Sequence, residues 1–145
     1  MKFLDIGEVA SKSGVRPSAL RYYEEQGLIS SMSRHGLRRQ FDPLVLVQLR
    51  LIAMGKAAGF SLDEIAGMFG RNGLPELSRA AMHQRADEID RQIRELTILG
   101  SLLRHVADCR SPSHLECLTF RRLMDVAGKR ARRLGKVKKR RAQSK

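Results

Sequence analysis

Cys109-Arg110-Ser111-Pro112-Ser113-His114-Leu115-Glu116-Cys117 gathers both cysteines of the sequence and one of its four histidines into a single short stretch. Ser113-His114-Leu115-Glu116 has capping-box form and predicts a helix from there to about Ala127. His114 and Cys117, three apart at that helix start, then share a face. A helix N-terminus also favours the thiolate that a soft metal needs. Two thiolates suit copper(I), whereas zinc would want His114 and a fourth ligand. Cys109, His114 and Cys117 are therefore candidate metal ligands. The same residues also fit a redox-active thiol pair or two buried small hydrophobes. Two cysteines are too few for a disulfide scaffold.

A second set of chemically capable residues lies near the other end. Arg16, Ser18 and Arg21 place hydrogen-bond donors on the first turns of a helix, as base-edge recognition requires. Tyr22 and Tyr23 follow, able to offer hydroxyls to phosphates. By the 3.6-residue period they cannot face the same way, so one is expected in the core and one at DNA. Arg34, His35, Arg38 and Arg39 form a third cluster, suited to backbone or minor-groove contact.

The elements that must position these residues can be read from start and stop signals. Asp5-Ile6-Gly7-Glu8 is a capping box, and Ser13-Gly14 ends the short helix it opens. Pro17 sits where a first-turn proline belongs, and helix continues to Gln26 before Gly27. Two short helices around a tight turn make a helix-turn-helix, held by Ala10, Val15 and Leu20. Ser30–Arg39 is polar and lacks helical period, so it reads as a hairpin or wing. A helix follows from Asp42-Pro43 to about Ala58, and Ser61-Leu62-Asp63-Glu64 opens another through Phe69. Gly70–Leu74 is a loop. From Pro75 to about Ala107 one long helix carries Met82, Ala86, Ile89, Ile93, Leu96, Gly100 and Leu103 at alternating four–three spacing, a coiled-coil seam. At 1.5 Å per residue it spans roughly 45–50 Å, so a second copy of the chain is the economical partner. His83 and His105 are expected as surface or seam residues.

Charge agrees with a polyanionic partner. The 145 residues carry a formal +13, of which +11 falls in residues 121–145 and only +2 in the rest. Residues 128–145 are expected to form a disordered basic tail that raises non-specific affinity and steepens its salt dependence. No apolar run of 18 or more residues exists, which excludes a transmembrane helix, and the tail lacks the amphipathic apolar face of a membrane binder. Asp5 interrupts any leader-like stretch, so a cytoplasmic location, at the nucleoid through DNA, is expected. No nucleophile–base arrangement, phosphate loop or paired carboxylates in an apolar context appears, which excludes an enzyme.

Three ordered motifs carry a family resemblance. Val15-Arg16-Pro17-Ser18-Ala19-Leu20-Arg21-Tyr22-Tyr23-Glu24-Glu25-Gln26-Gly27-Leu28-Ile29, then Gly36-Leu37-Arg38-Arg39-Gln40-Phe41, then Ala58-Gly59-Phe60-Ser61-Leu62-Asp63-Glu64-Ile65 resemble the MerR family of bacterial transcription regulators over roughly residues 3–107. The wing departs from the commoner glycine-tyrosine-arginine run. The resemblance implies a homodimer on a pseudo-palindromic promoter, bending and untwisting DNA so that an effector realigns the elements read by RNA polymerase. It also implies that two cysteines at this separation after the dimerisation helix belong to metal-sensing members. Those members add a cysteine or serine from the partner's helix, where this chain has no cysteine and offers Ser78 and His83.

The expected architecture is all-α. It comprises a winged helix-turn-helix DNA-binding domain at 1–74, an antiparallel coiled-coil dimerisation helix at 75–107, a Cys-His-Cys loop and short helix at 108–127 as effector region, and the tail at 128–145. The expected function is promoter regulation by DNA distortion, with zinc or copper(I) as candidate effector. The alternatives are an architectural or other nucleic-acid-binding protein dominated by its tail, and a redox-responsive regulator without metal.

Overall fold

A computed structural model describes residues 2–143, with the side chains of Arg34, His35 and 140–143 left out of the description. The chain divides into two compact units, 1–83 and 84–145.

In the first unit, Asp5 closes both halves of its capping box. Its Oδ1 accepts from the Glu8 N–H at 2.9 Å while its own N–H donates to Glu8 Oε2 at 2.9 Å. This opens α1 (Ile6–Ser13), and Gly14 ends it at φ 73. After a three-residue turn comes α2 (Pro17–Glu25), with Pro17 at its first position. The wing is a hairpin of β2 (Ser33–His35) and β3 (Arg38–Phe41), with Arg34 opposite Arg39 and His35 opposite Arg38. Gly36 turns the corner at φ 63, a conformation that two-residue hairpin loops require. A strand of two residues, β1 (Leu4–Asp5), pairs on the other side of β3, with Leu4 opposite Phe41. It is too short to carry a period in sequence. Asp5 thus serves both as strand residue and as helix cap.

The Asp42 carboxylate accepts from the Leu44 N–H at 2.8 Å, and α3 (Val45–Ala57) starts from that turn. Ser61 caps α4 (Leu62–Ala66), which stops at Gly67, short of the expected Phe69. Phe69 instead bridges to Pro75 and closes the intervening loop. The core joins β1, β3 and the helices α1 to α4, with Val9, Leu20, Phe41 and Ile65 fully buried. Each large apolar side chain removed from water contributes about 1.5–3 kcal/mol, so the helix-turn-helix and the wing stand or fall together.

The long helix α5 (Arg79–Asp108) begins at Arg79 rather than Pro75. In the second unit, the capping signal at Ser113 yields only a 3-10 turn, His114–Glu116: the Ser113 hydroxyl accepts from the Leu115 N–H at 3.2 Å, and Cys117, extended at ψ 116, breaks the helical path. The last helix, α6 (Leu118–Gln143), starts after it. The segment expected to be a disordered tail is therefore helical as far as Gln143. Its Lys, Arg, Ala and Leu residues are strong helix formers, with no proline among them. Arg130 Nη1 pairs with Glu95 Oε2 at 2.9 Å and Arg133 pairs with the other oxygen, so α6 runs back along α5. No helix among the described residues is long and apolar enough to cross a membrane.

Candidate nucleic-acid interface and metal centre

On α2, Ser18, Arg21 and Tyr22 are exposed and share a face by their three–four spacing, with Arg16 exposed at the N-cap. Leu20 and Tyr23 face the core. Of the two tyrosines, Tyr22 is the one left at the surface, 47 % exposed, while Tyr23 is buried and so is not placed for DNA. Its hydroxyl accepts from Lys56 Nζ at 3.2 Å, and the same ammonium lies 5.7 Å from its ring centre. That pairing satisfies the phenol at the core edge and joins α2 to α3.

The wing arginines divide in the same way. Arg38, well exposed, reaches Asp5 Oδ2 at 3.5 Å. Arg39, expected to contact DNA, is half-buried and lies 2.8 Å from Glu24 Oε2, so its charge is committed to α2. The side chains of Arg34 and His35 lie outside the described residues. At the hairpin tip Leu37 is 96 % exposed, an apolar side chain that the sequence pattern does not single out. Among the described candidates, Arg16, Ser18, Arg21 and Tyr22 are exposed toward a polyanion, as is Arg38 beside its surface ion pair with Asp5.

Two lines of residues run along α5. The expected seam is largely uncovered in the single chain: Ile93, Leu96 and Leu103 are each more than half exposed, and Ala86 is exposed. Met82, Ile89 and Gly100 are half-buried. A second line, Gln92, Glu95, Leu99, Leu102, Val106 and Cys109, also steps by three and four residues and is half-buried or buried. Glu95 on this line meets Arg130 of α6. Burial would raise the Glu95 carboxyl, but Arg133 and Arg130 outweigh it and hold the group below its ordinary value.

Cys109 ends that second line. Its Sγ lies 3.5 Å from the buried Cys117 Sγ and 3.3 Å from the Ser111 hydroxyl. Ser111 donors, hydroxyl first and then N–H, favour the thiolate and lower the Cys109 pKa. The imidazole that joins these thiols is His105, not His114: one ligand atom each from His105, Cys109 and Cys117 lies within 4.8 Å of the others. His114 packs on Phe120, ring centres 5.5 Å apart, because the helix expected to align it with Cys117 is only a 3-10 turn. The signal for His105 is present in the sequence: it stands four residues before Cys109, one turn away on the same helical face.

Known proteins resemble this chain over most of its length. Residues 4–71 match the family described as "MerR HTH family regulatory protein", and residues 46–106 match "MerR, DNA binding". The chain is 30 % identical over 129 residues to the HTH-type transcriptional regulator HmrR of Rhizobium leguminosarum, covering 86 % of this chain and all of that one. It is 31 % identical over 120 residues to the HTH-type transcriptional regulator CueR of Vibrio cholerae, covering 79 % of this chain and 86 % of the relative. In fold it is similar to a MerR-family transcriptional regulator from Bacillus cereus, with TM-score 0.57, 22 % identity and coverage of 89 % and 99 % of the two chains.

Proposed function

The chain belongs to the MerR family of helix-turn-helix regulators, and on that premise we propose that it works as a homodimer on a pseudo-palindromic promoter and answers to a thiophilic metal ion held by Cys109 and Cys117. It is a DNA-binding transcriptional regulator and not an enzyme, as its relatives are. The winged helix-turn-helix supplies the DNA-facing donors, and the exposed line Ile93, Leu96 and Leu103 is the surface offered to a second copy. Holding two recognition helices and two wings at a fixed spacing lets the dimer offset a DNA deformation cost on the order of 1–6 kcal/mol. RNA polymerase then engages the realigned promoter.

The observation that carries the metal reading is the pair of thiols 3.5 Å apart at the C-terminal end of the dimerisation helix. The donor set fits a soft or borderline ion: one thiol buried, the other already biased toward its thiolate. Such an ion would supply metal–sulfur bonds to Cys109, just after α5, and to Cys117, in the turn before α6. Cys109, the first residue after α5, would join it to the helix that carries the seam. Cys117 would hold the loop, and the Ser111 donors bias Cys109 toward its thiolate.

The test is metal stoichiometry of the reduced, purified protein titrated with copper(I) and with zinc, beside a Cys109→Ser/Cys117→Ser variant. Tight uptake by the parent and none by the variant supports the reading, and no uptake by either refutes it. The lowered Cys109 pKa favours a thiol-redox response as the second reading. Loss of both thiols on exposure to hydrogen peroxide, with altered promoter affinity and no metal uptake, would select it.

A further inference from the structure

We propose that His105 is the third ligand of a metal centre built within one chain, and that this Cys2His set selects a zinc-type divalent ion over a two-coordinate monovalent one. The proposal rests on the metal-effector reading above. His105 lies in the last turn of α5, Cys109 is the first residue beyond that helix, and Cys117 comes back to them after the 3-10 turn. All three ligand atoms lie within 4.8 Å of one another.

The sulfur–sulfur separation lies nearer to one geometry than to the other. Two thiolates on a tetrahedral zinc, with bonds of about 2.3 Å, stand about 3.8 Å apart. Flanking an ion in a straight line at similar bond lengths, they would stand about 4.6 Å apart. The 3.5 Å between the free thiols lies closer to the first than to the second. A bent S–M–S arrangement would leave a side open to the His105 imidazole, which lies within 4.8 Å of both sulfurs.

Charge points the same way. Two thiolates and a neutral imidazole bring a charge of −2, which a divalent ion cancels and a monovalent ion leaves at −1 beside the buried Cys117. Binding releases the two thiol protons and leaves a fourth position for water, since His105 is exposed. The centre needs no residue from the partner's helix, so occupancy is one ion per chain.

The experiment titrates the reduced full-length protein with zinc, with cobalt(II) as its spectroscopic stand-in, and with copper(I), each against a competing chelator. The parent is expected to take one zinc or cobalt per chain, with a sulfur-to-cobalt charge-transfer band. His105→Ala should weaken zinc at least about tenfold while changing copper(I) affinity less than about threefold. His105→Cys should restore zinc and strengthen the charge-transfer band. His114→Ala should behave as the parent. Circular dichroism and promoter binding of each metal-free variant verify its fold. Undiminished zinc affinity in His105→Ala overturns the proposal. So does a parent that binds copper(I) and not zinc, an outcome that leaves the metal-effector reading standing. Failure to bind either ion overturns both.

Discussion

Arg39 Nε lies 2.8 Å from Glu24 Oε2, which ties the central strand of the wing to the last turn of the recognition helix. The approach is an ion pair rather than an aligned hydrogen bond, since Oε2 has no aligned donor. The other carboxylate oxygen accepts from the Ser31 hydroxyl at 2.5 Å. Both charged side chains are about three-quarters covered, so neither is freely compensated by water once its partner is gone. Glu24→Ala is expected to cost about 1–3 kcal/mol in urea denaturation. It should also weaken promoter binding, because wing and recognition helix lose their common reference. Unchanged stability would show the pair to be incidental.

The crossing of α3 and α4 depends on a missing side chain. A Cβ at Gly55 would fall 2.6 Å from Ile65 Cγ1, and Ile65 is fully buried with nowhere to retreat. Gly55→Ala should gain about 1 kcal/mol in helix propensity yet lose more to overpacking, for a net loss of about 1–2 kcal/mol. Adding Ile65→Val, which removes a methyl from the crowded side chain, should recover part of that loss. Thermal unfolding of the two variants checks this, and a higher Tm for Gly55→Ala alone would contradict it.

What is legible in the sequence is what is decided locally. The capping boxes at Asp5 and Ser61, the stop at Gly14 and the hairpin around Gly36 each depend on residues within a few positions of one another, and all four form. The exposed line on α5 is legible because its members are apolar and periodic. The covered line is not, because Gln92 and Glu95 interrupt its apolar pattern and only the return of α6 shows why they are sheltered. Arg39 reads as a DNA-facing residue because its partner Glu24 is fifteen positions away in sequence and adjacent only in the fold. His114 draws attention over His105 by its place between the cysteines. Distance along the chain is a poor guide once Cys117 folds back to the end of α5.

Glu95 makes the α5–α6 hairpin sensitive to acid. Its folded pKa lies below the ordinary 4.5, so its contribution is present above that value and is lost as pH falls further, through the folded pKa. Arg130 and Arg133 then face a neutral carboxyl while the surrounding basic charge of α6 remains. Helicity followed by circular dichroism from pH 6 downward should fall with a component centred below 4.5 that Glu95→Gln removes. An identical acid transition in parent and variant would place the sensitivity elsewhere.

The recognition helix and the basic end of α6 should separate by their salt dependence. Arg21 is exposed beside Ser18 and Tyr22, placed for a base edge, whereas the lysines of α6 beyond Leu134 can only add charge. Truncation after Leu134 keeps Arg130 and Arg133 with Glu95, so the hairpin stays closed. It should lower affinity for every DNA sequence alike and leave the footprint in place. The slope of log K against log salt should flatten by about 0.9 for each phosphate that is no longer neutralised. Arg21→Ala should instead cost about 1–3 kcal/mol on the specific site and relax preference there, with the salt slope nearly unchanged. Anisotropy titrations on specific and scrambled duplexes at several salt concentrations measure both. A footprint that vanishes with residues 135–145 would mean that the basic helix, and not the helix-turn-helix, dominates recognition.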